Sequence, residues 1–249
     1  MTTIFYSPLE QFDAVVLLLL KFWRFDISFT NILLPLLISN LLLIFIIRFY
    51  IRGMKLIPEF WQLTLENLYT FVLDLIEQQV GQKGFIYFPL IFSLFFFILS
   101  CNLISMTPFA FALTSHIIMI IFLSLSLGLS IFIIGLYTHN LEFLKIFIPE
   151  SPLILLPFLI IIEIFSYVLR TFSLAIRLSA NIMAGHTLVY IISSFILNMT
   201  YMKFWFFFIL VFLILAVLLL EVGVACLQAY VFTILVCIYL SDSLKSPGH

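Results

Sequence analysis

Residues 153–199 read LILLPFLIIIEIFSYVLRTFSLAIRLSANIMAGHTLVYIISSFILNM, and this run decides the fold. It far exceeds one upright membrane crossing, which takes about 20 apolar residues. Residues 203–241 form a second run of the same kind. Each run either folds back on itself or forms one long, strongly tilted helix. Neither carries a hairpin turn at its middle, where Gly185 and Gly223 stand alone. That favours two long tilted helices, made antiparallel by the short connection near residues 198–203.

The rest of the chain has the same character. Of 249 residues, 65% are hydrophobic and only 9% are charged, with a mean hydropathy of +1.30. A soluble domain would be roughly a quarter charged, so the lipid bilayer is the main solvent. The 31 Phe suit lipid-facing surface. A net charge of -1 without a long basic run argues against nucleic acid as a partner. Cys101, Cys226 and Cys237 sit in apolar stretches at spacings that match neither a disulfide framework nor a zinc site, and are read as packing residues. No metal or cofactor is expected. Lys21 and Arg24 follow the first apolar run, Ala14 to Leu20, instead of preceding it, so the N-terminus does not read as a signal peptide.

Working outward, residues 29–50 read as a first span ending at the positive cluster Arg48, Arg52 and Lys55. Positive residues mark the side from which insertion starts, here the matrix or cytoplasm. In residues 58–80, Glu59, Glu66, Asp74 and Glu77 interleave with apolar residues at helical spacing, the pattern of an amphipathic helix on the membrane surface. Residues 85–137 read as a helical hairpin turning near Asn102, Ser105, Thr107 and Pro108. Leu141 to Ile148 reads as a short surface segment. The expectation is a single all-α membrane domain over residues 1–249, with about five transmembrane helices, one surface helix, and the last two helices long, antiparallel and strongly tilted.

Ionisable residues at membrane depth are costly and mark function by default. The first long run holds Glu163, Arg170, Arg177, Asn181 and His186; the second holds Glu221, Gln228 and Asp242. Glu163, Arg170 and Arg177 are seven apart and therefore share a helical face, as do Glu221 and Gln228. With Arg177 set opposite Gln228, Glu163 and Asp242 each lie 14 residues from the centre, about 21 Å, and face each other at one end. His186 and Glu221 meet towards the other end. On an ideal helix His186 lies nearly opposite Arg177, so a local bend or a third helix is expected to bring it into line.

This layout suits proton transfer by two half-paths. Glu and His exchange protons near neutral pH when their surroundings tune them. Arginine does not release its proton. Between two half-paths it is a barrier that favours the ionised form of a carboxylate on a moving partner. The plainer reading makes Glu163, Arg170 and Asp242 ordinary ion pairs at helix ends. Haem ligation by His116, His139 or His186 fails because no pair lies on one helix at a spacing suited to stacked haems. No Walker A pattern is present, so the chain itself carries no nucleotide site of that kind. An ion-conducting subunit of a respiratory complex or a secondary transporter is the alternative, although those commonly show more spans or internal repeats.

These same residues carry a family resemblance. The stretch from Ser173 to His186, SLAIRLSANIMAGH, resembles the signature of subunit a of F-type ATP synthase, and Glu221 to Phe232, EVGVACLQAYVF, resembles that family's second motif. Asn102-Leu103 with Pro108 is similar to a third, and Ser7 to Phe12, SPLEQF, is similar to the start of mature fungal mitochondrial forms. The resemblance implies a membrane subunit of a proton-translocating ATP synthase, of mitochondrial type. It implies a rotating ring of c-subunit proteolipids and other membrane and peripheral-stalk subunits as partners, and protons as the transported ion. It makes Arg177 the arginine that faces the ring carboxylate, with Asn181, Gln228 and Arg170 in support. His186 and Glu221 become the uptake half-channel on the intermembrane side, and Glu163 and Asp242 the release half-channel on the matrix side. The implied location is the mitochondrial inner membrane, with the N-terminus on the intermembrane side and the C-terminus in the matrix.

Overall fold

The computed structural model describes residues 12–13, 15–19, 21–22, 25–26, 28–53, 59–107, 111–139, 156–198 and 204–244. Six α-helices dominate: α1 (Leu33–Gly53), α2 (Phe60–Gln79), α3 (Phe88–Ser105), α4 (Ile117–His139), α5 (Leu156–Asn198) and α6 (Phe204–Leu244). Four segments, Gln82–Ser105, Ile117–His139, Phe158–Ile196 and Phe208–Leu244, are long and apolar enough to cross a membrane, and Leu33–Arg48 is a shorter apolar helix. The protein is an all-α membrane protein.

The two long runs are each a single helix, of 43 residues in α5 and 41 in α6. At 1.5 Å per residue each extends for more than about 60 Å, roughly twice the hydrocarbon thickness of a bilayer. Their only proline, Pro157, stands in the first turn of α5, where its missing N–H costs nothing. Nothing inside either run removes a backbone donor and breaks the ladder.

Small side chains set how closely the helices meet. On α6 the buried residues Ala225, Ala229, Thr233, Cys237 and Ser241 recur every fourth position. On α5, Thr171, Ala175 and Ser179 do the same. Between lipid-solvated helices there is little hydrophobic drive to associate, so close backbone approach and interhelical hydrogen bonds hold the bundle. Tyr167 donates to the Gly128 carbonyl at 3.2 Å, joining α5 to α4. Ser179 donates to the Ser115 carbonyl at 2.6 Å, joining α5 to the turn before α4. Asn102 Nδ2 donates to the Ala225 carbonyl at 3.2 Å, joining α3 to α6. His139 Nε2 lies 3.3 Å from the Leu244 carbonyl, so the C-terminal ends of α4 and α6 sit together.

One feature differs from the sequence expectation. Phe29 and Thr30 do not begin the first span; they form β4 and pair antiparallel with β1 (Val16–Leu18), around a smaller pair β2 (Lys21–Phe22) and β3 (Phe25–Asp26). Strands of two or three residues are too short to leave a periodic signal. On α2, Val72, Leu75 and Ile76 are buried, and Phe71 packs against Phe95 of α3 and Tyr230 of α6. Protein covers that part of the helix, while Phe60, Trp61, Leu63 and Tyr69 stay exposed. Gly81, with φ 78°, closes α2 in a conformation that an L-residue with a side chain rarely adopts. The segment Leu141 to Ile148 and residues Ser7 to Gln11 lie outside the described residues.

Candidate functional site

The ladder of small residues on α6 brings its polar positions against α5. Glu221 and Gln228 are 5% and 4% exposed, although each lies in a run of otherwise apolar residues. His186 Nε2 stands 3.6 Å from Glu221 Oε1. That is ion-pair range but too long for a strong direct hydrogen bond. A small rotation of either side chain would bring the two into hydrogen-bond range.

The Glu221 carboxylate rests on Gly185. A Cβ at Gly185 would stand 2.7 Å from Glu221 Oε1, 2.8 Å from Cδ and 3.0 Å from Cγ. Only glycine leaves that space. Gly223, the other isolated glycine, faces open space. The sequence gives no sign of this difference, because it depends on which residue of the other helix crosses at that level.

Glu221 meets α5 at two adjacent positions, with the same oxygen, Oε1, lying over Gly185 and 3.6 Å from His186 Nε2. From there it reaches a cavity of about 300 Å³ that Asn181, Gly185, Glu221, Ala225 and Gln228 help to line. Asn181 lies one helical turn beyond Arg177, towards its face of α5. The side of α5 turned inwards thus carries His186, and the side turned outwards carries Arg177.

Arg177 is exposed on α5, as are Asn181 and Glu163, and Asp242 is exposed near the end of α6. None of the four pairs with another described side chain. The facing pair expected of Glu163 and Asp242 is therefore not formed as a described contact: each side chain lies on the outward side of its own helix. Nor does Arg177 touch Gln228, since one points out and the other in. Arg170 belongs to α5 by its backbone, and its side chain lies outside what the structure describes.

A second set of polar groups adjoins the site. Asn102 Oδ1, Thr114 Oγ1, His116 Nε2 and Gln228 Nε2 are buried without a hydrogen-bond partner among the described residues. An unsatisfied buried polar group costs about 1–3 kcal/mol. Asn102 reaches the Ala225 carbonyl, and Ala225 also lines the cavity. Polar capacity thus extends from the α3–α4 turn to Glu221. Among the described residues, no group of three or more His, Cys, Asp or Glu is arranged to hold a metal.

A bundle of apolar helices with a buried histidine–carboxylate pair and an outward arginine on the same long helix defines an ion-conducting membrane subunit. Comparison with known proteins specifies which. The family model described as ATP synthase A chain matches residues 32–241. ATP synthase subunit a of Wolbachia sp. subsp. Drosophila simulans (strain wRi) is 45% identical over 245 residues, covering 96% of this chain and 99% of that protein. The same subunit of Wolbachia pipientis wMel is 44% identical over 245 residues, with the same coverage. The chain belongs to the ATP synthase A chain family, the proton-translocating stator subunit of the ATP synthase complex. That decides against the respiratory-complex and transporter alternative. Both relatives are bacterial, so they support the subunit and not the mitochondrial type or location expected from the sequence.

Proposed function

We propose that the chain carries protons to and from a rotating ring of c-subunit proteolipids through two half-channels that never join, with Arg177 between them. The observation that carries this reading is the Glu221 carboxylate, held 3.6 Å from His186 and against Gly185, at the lining of the cavity. A proton arriving past His186 moves to Glu221 and, through the cavity beside Asn181 and Gln228, to a ring carboxylate at the outer face of α5. Once neutral, that carboxyl loses most of its desolvation penalty and turns into lipid. After nearly a full revolution it meets Arg177. The exposed guanidinium favours the ionised form, and the proton leaves past Glu163 and Asp242, with Arg170 in support. A membrane potential of 100 mV adds about 2.3 kcal/mol per proton.

On this reading α1 and the four longer apolar helices each cross once, so the termini lie on opposite sides. Arg48 and Arg52 in the last turns of α1 favour the matrix side for the C-terminal ends of α1, α4 and α6 and the intermembrane side for the N-terminus. The shared location of His139 and Leu244 agrees with this. By the family resemblance, His186 with Glu221 matches the mitochondrial arrangement, since bacterial forms tend to place these residue types the other way round; with the Ser7 to Phe12 stretch, this supports the mitochondrial inner membrane and a mitochondrial-type complex with peripheral-stalk subunits. Identity of 45% to a Wolbachia subunit favours a second reading, the same topology in a bacterial energy-coupling membrane; fractionation of the source cells decides between them.

Glu221→Gln tests the uptake path. The amide keeps the shape and cannot exchange a proton. The expected result is an assembled complex whose ATP-driven proton pumping falls by about 100-fold or more, the scale of a lost general acid–base group. Pumping at the unaltered rate would remove Glu221 from the path.

A further inference from the structure

The uptake histidine has a neighbour that no role above includes. The rings of Phe12 and His186 meet in a T-shaped contact, with centroids 6.3 Å apart and the planes at 77°. It is half-buried and packs against the hydrophobic core of the bundle. Phe12 comes from the segment before the first span, far from α5 in sequence.

That segment is tied down by a specific set of bonds. Asn31, just before α1, accepts from the Val15 N–H through Oδ1 at 3.1 Å and donates through Nδ2 to the Asp13 carbonyl at 3.1 Å. Its own backbone N–H donates to the Val15 carbonyl at 3.1 Å. β1 then pairs with β4 in the register Val16 to Thr30 and Leu18 to Phe29. One asparagine thus locks residues 13–15 against the start of α1, immediately beside Phe12. A loose tail would need none of these bonds. The chain here is extended with polar groups satisfied locally, and its first described side chain lies on the functional histidine.

We propose that Phe12 is a positioning residue for proton uptake, and that Asn31 is the clasp that holds it in place. His186 is then bounded on two sides: the Glu221 carboxylate at 3.6 Å and the Phe12 ring. An imidazole has two ring nitrogens and a nearly free flip about its second torsion. Fixing the ring from both sides keeps Nε2 on Glu221 and leaves the other nitrogen for the side from which protons arrive. This inference rests on the assignment of His186 to the uptake path.

The test is ATP-driven acidification of vesicles carrying the reconstituted complex with Phe12→Ala, Phe12→Leu, Phe12→Tyr or Asn31→Ala, beside His186→Ala. An aromatic edge contact of this kind corresponds to about a 2- to 10-fold effect. Pumping should fall by that factor in Phe12→Ala and in Asn31→Ala, which leaves His186 untouched. Phe12→Tyr keeps the ring and should restore the rate. Phe12→Leu keeps apolar bulk without a ring and should not. If Phe12→Ala impairs assembly, Phe12→Leu against Phe12→Tyr still decides, because both fill the space. Equal rates in Leu and Tyr variants, or an unaltered rate in Asn31→Ala, would overturn the inference while loss in His186→Ala leaves the uptake assignment standing. An unaltered rate in His186→Ala would overturn the assignment and the inference with it.

Discussion

Gly185→Ala separates function from stability more cleanly than any other single change. The added Cβ would stand 2.7 Å from Glu221 Oε1, about 0.7 Å inside ordinary contact at 3.4 Å. The clash falls on the far end of a flexible side chain, so the carboxylate gives way and the backbone does not. Turning Glu221 off its rotamer costs about 0.5–1.5 kcal/mol. Alanine in a helix interior returns about 0.5–1 kcal/mol relative to glycine, so net stability changes little. The carboxylate, however, must move by an amount comparable to the whole margin in its 3.6 Å approach to His186. A displacement approaching 1 Å at a reacting group costs up to about 100-fold in rate. The expected result is a fully assembled complex whose ATP-driven vesicle acidification falls by about 10- to 100-fold. Glu221→Asp, shorter by one methylene, should recover part of that loss in the Gly185→Ala background while being slow by itself. Near-normal pumping in Gly185→Ala, with assembly intact on a native gel, would refute the seat.

Other expectations follow from the same coordinates. Ser179→Ala removes the 2.6 Å bond to the Ser115 carbonyl and should lower resistance to thermal dissociation by about 1 kcal/mol, with pumping per assembled complex unchanged. Ala229→Leu, inside the small-residue ladder of α6, should overpack the bundle by about 1–3 kcal/mol, seen as lost assembly on native gels. Glu163→Gln and Asp242→Asn alter exposed groups without a described partner, so stability should shift by no more than about 0.5 kcal/mol. The release assignment predicts that pumping nonetheless falls by about 10-fold or more in each, and pumping at the unaltered rate would remove both from the release path.

Length and apolarity made α5 and α6 legible, because an uninterrupted run without a central turn has few ways to fold in lipid. Spacing made the common exposure of Glu163 and Arg177 legible, because a multiple of seven residues brings a helix almost back to the same side. The approach of His186 to Glu221 could be placed in depth by counting, since both helices have a fixed rise. What counting could not supply was rotation and lateral contact. Exposed Glu163 and Asp242 do not meet, because opposition in depth says nothing about which side each helix presents. Gly185 looked like Gly223 until the crossing of α6 put a carboxylate on one and open space on the other. The apolar side of α2 had the pattern of a lipid-facing surface, and the pattern is the same where α3 and α6 cover part of it. Phe12 was out of reach for another reason: its contact joins the segment before the first span to α5, more than 170 positions away in sequence.

The central claim is that Arg177 separates the half-channels and meets the ring carboxylate, and Arg177→Ala tests it most directly. Passive proton flux and ATP-driven pumping are measured in vesicles carrying the same assembled complex. Loss of driven pumping with assembly preserved, accompanied by a rise in passive flux as the barrier is removed, is the predicted result. Driven pumping near the unaltered level would contradict the account and leave Arg177 as an exposed charge without a part in transport.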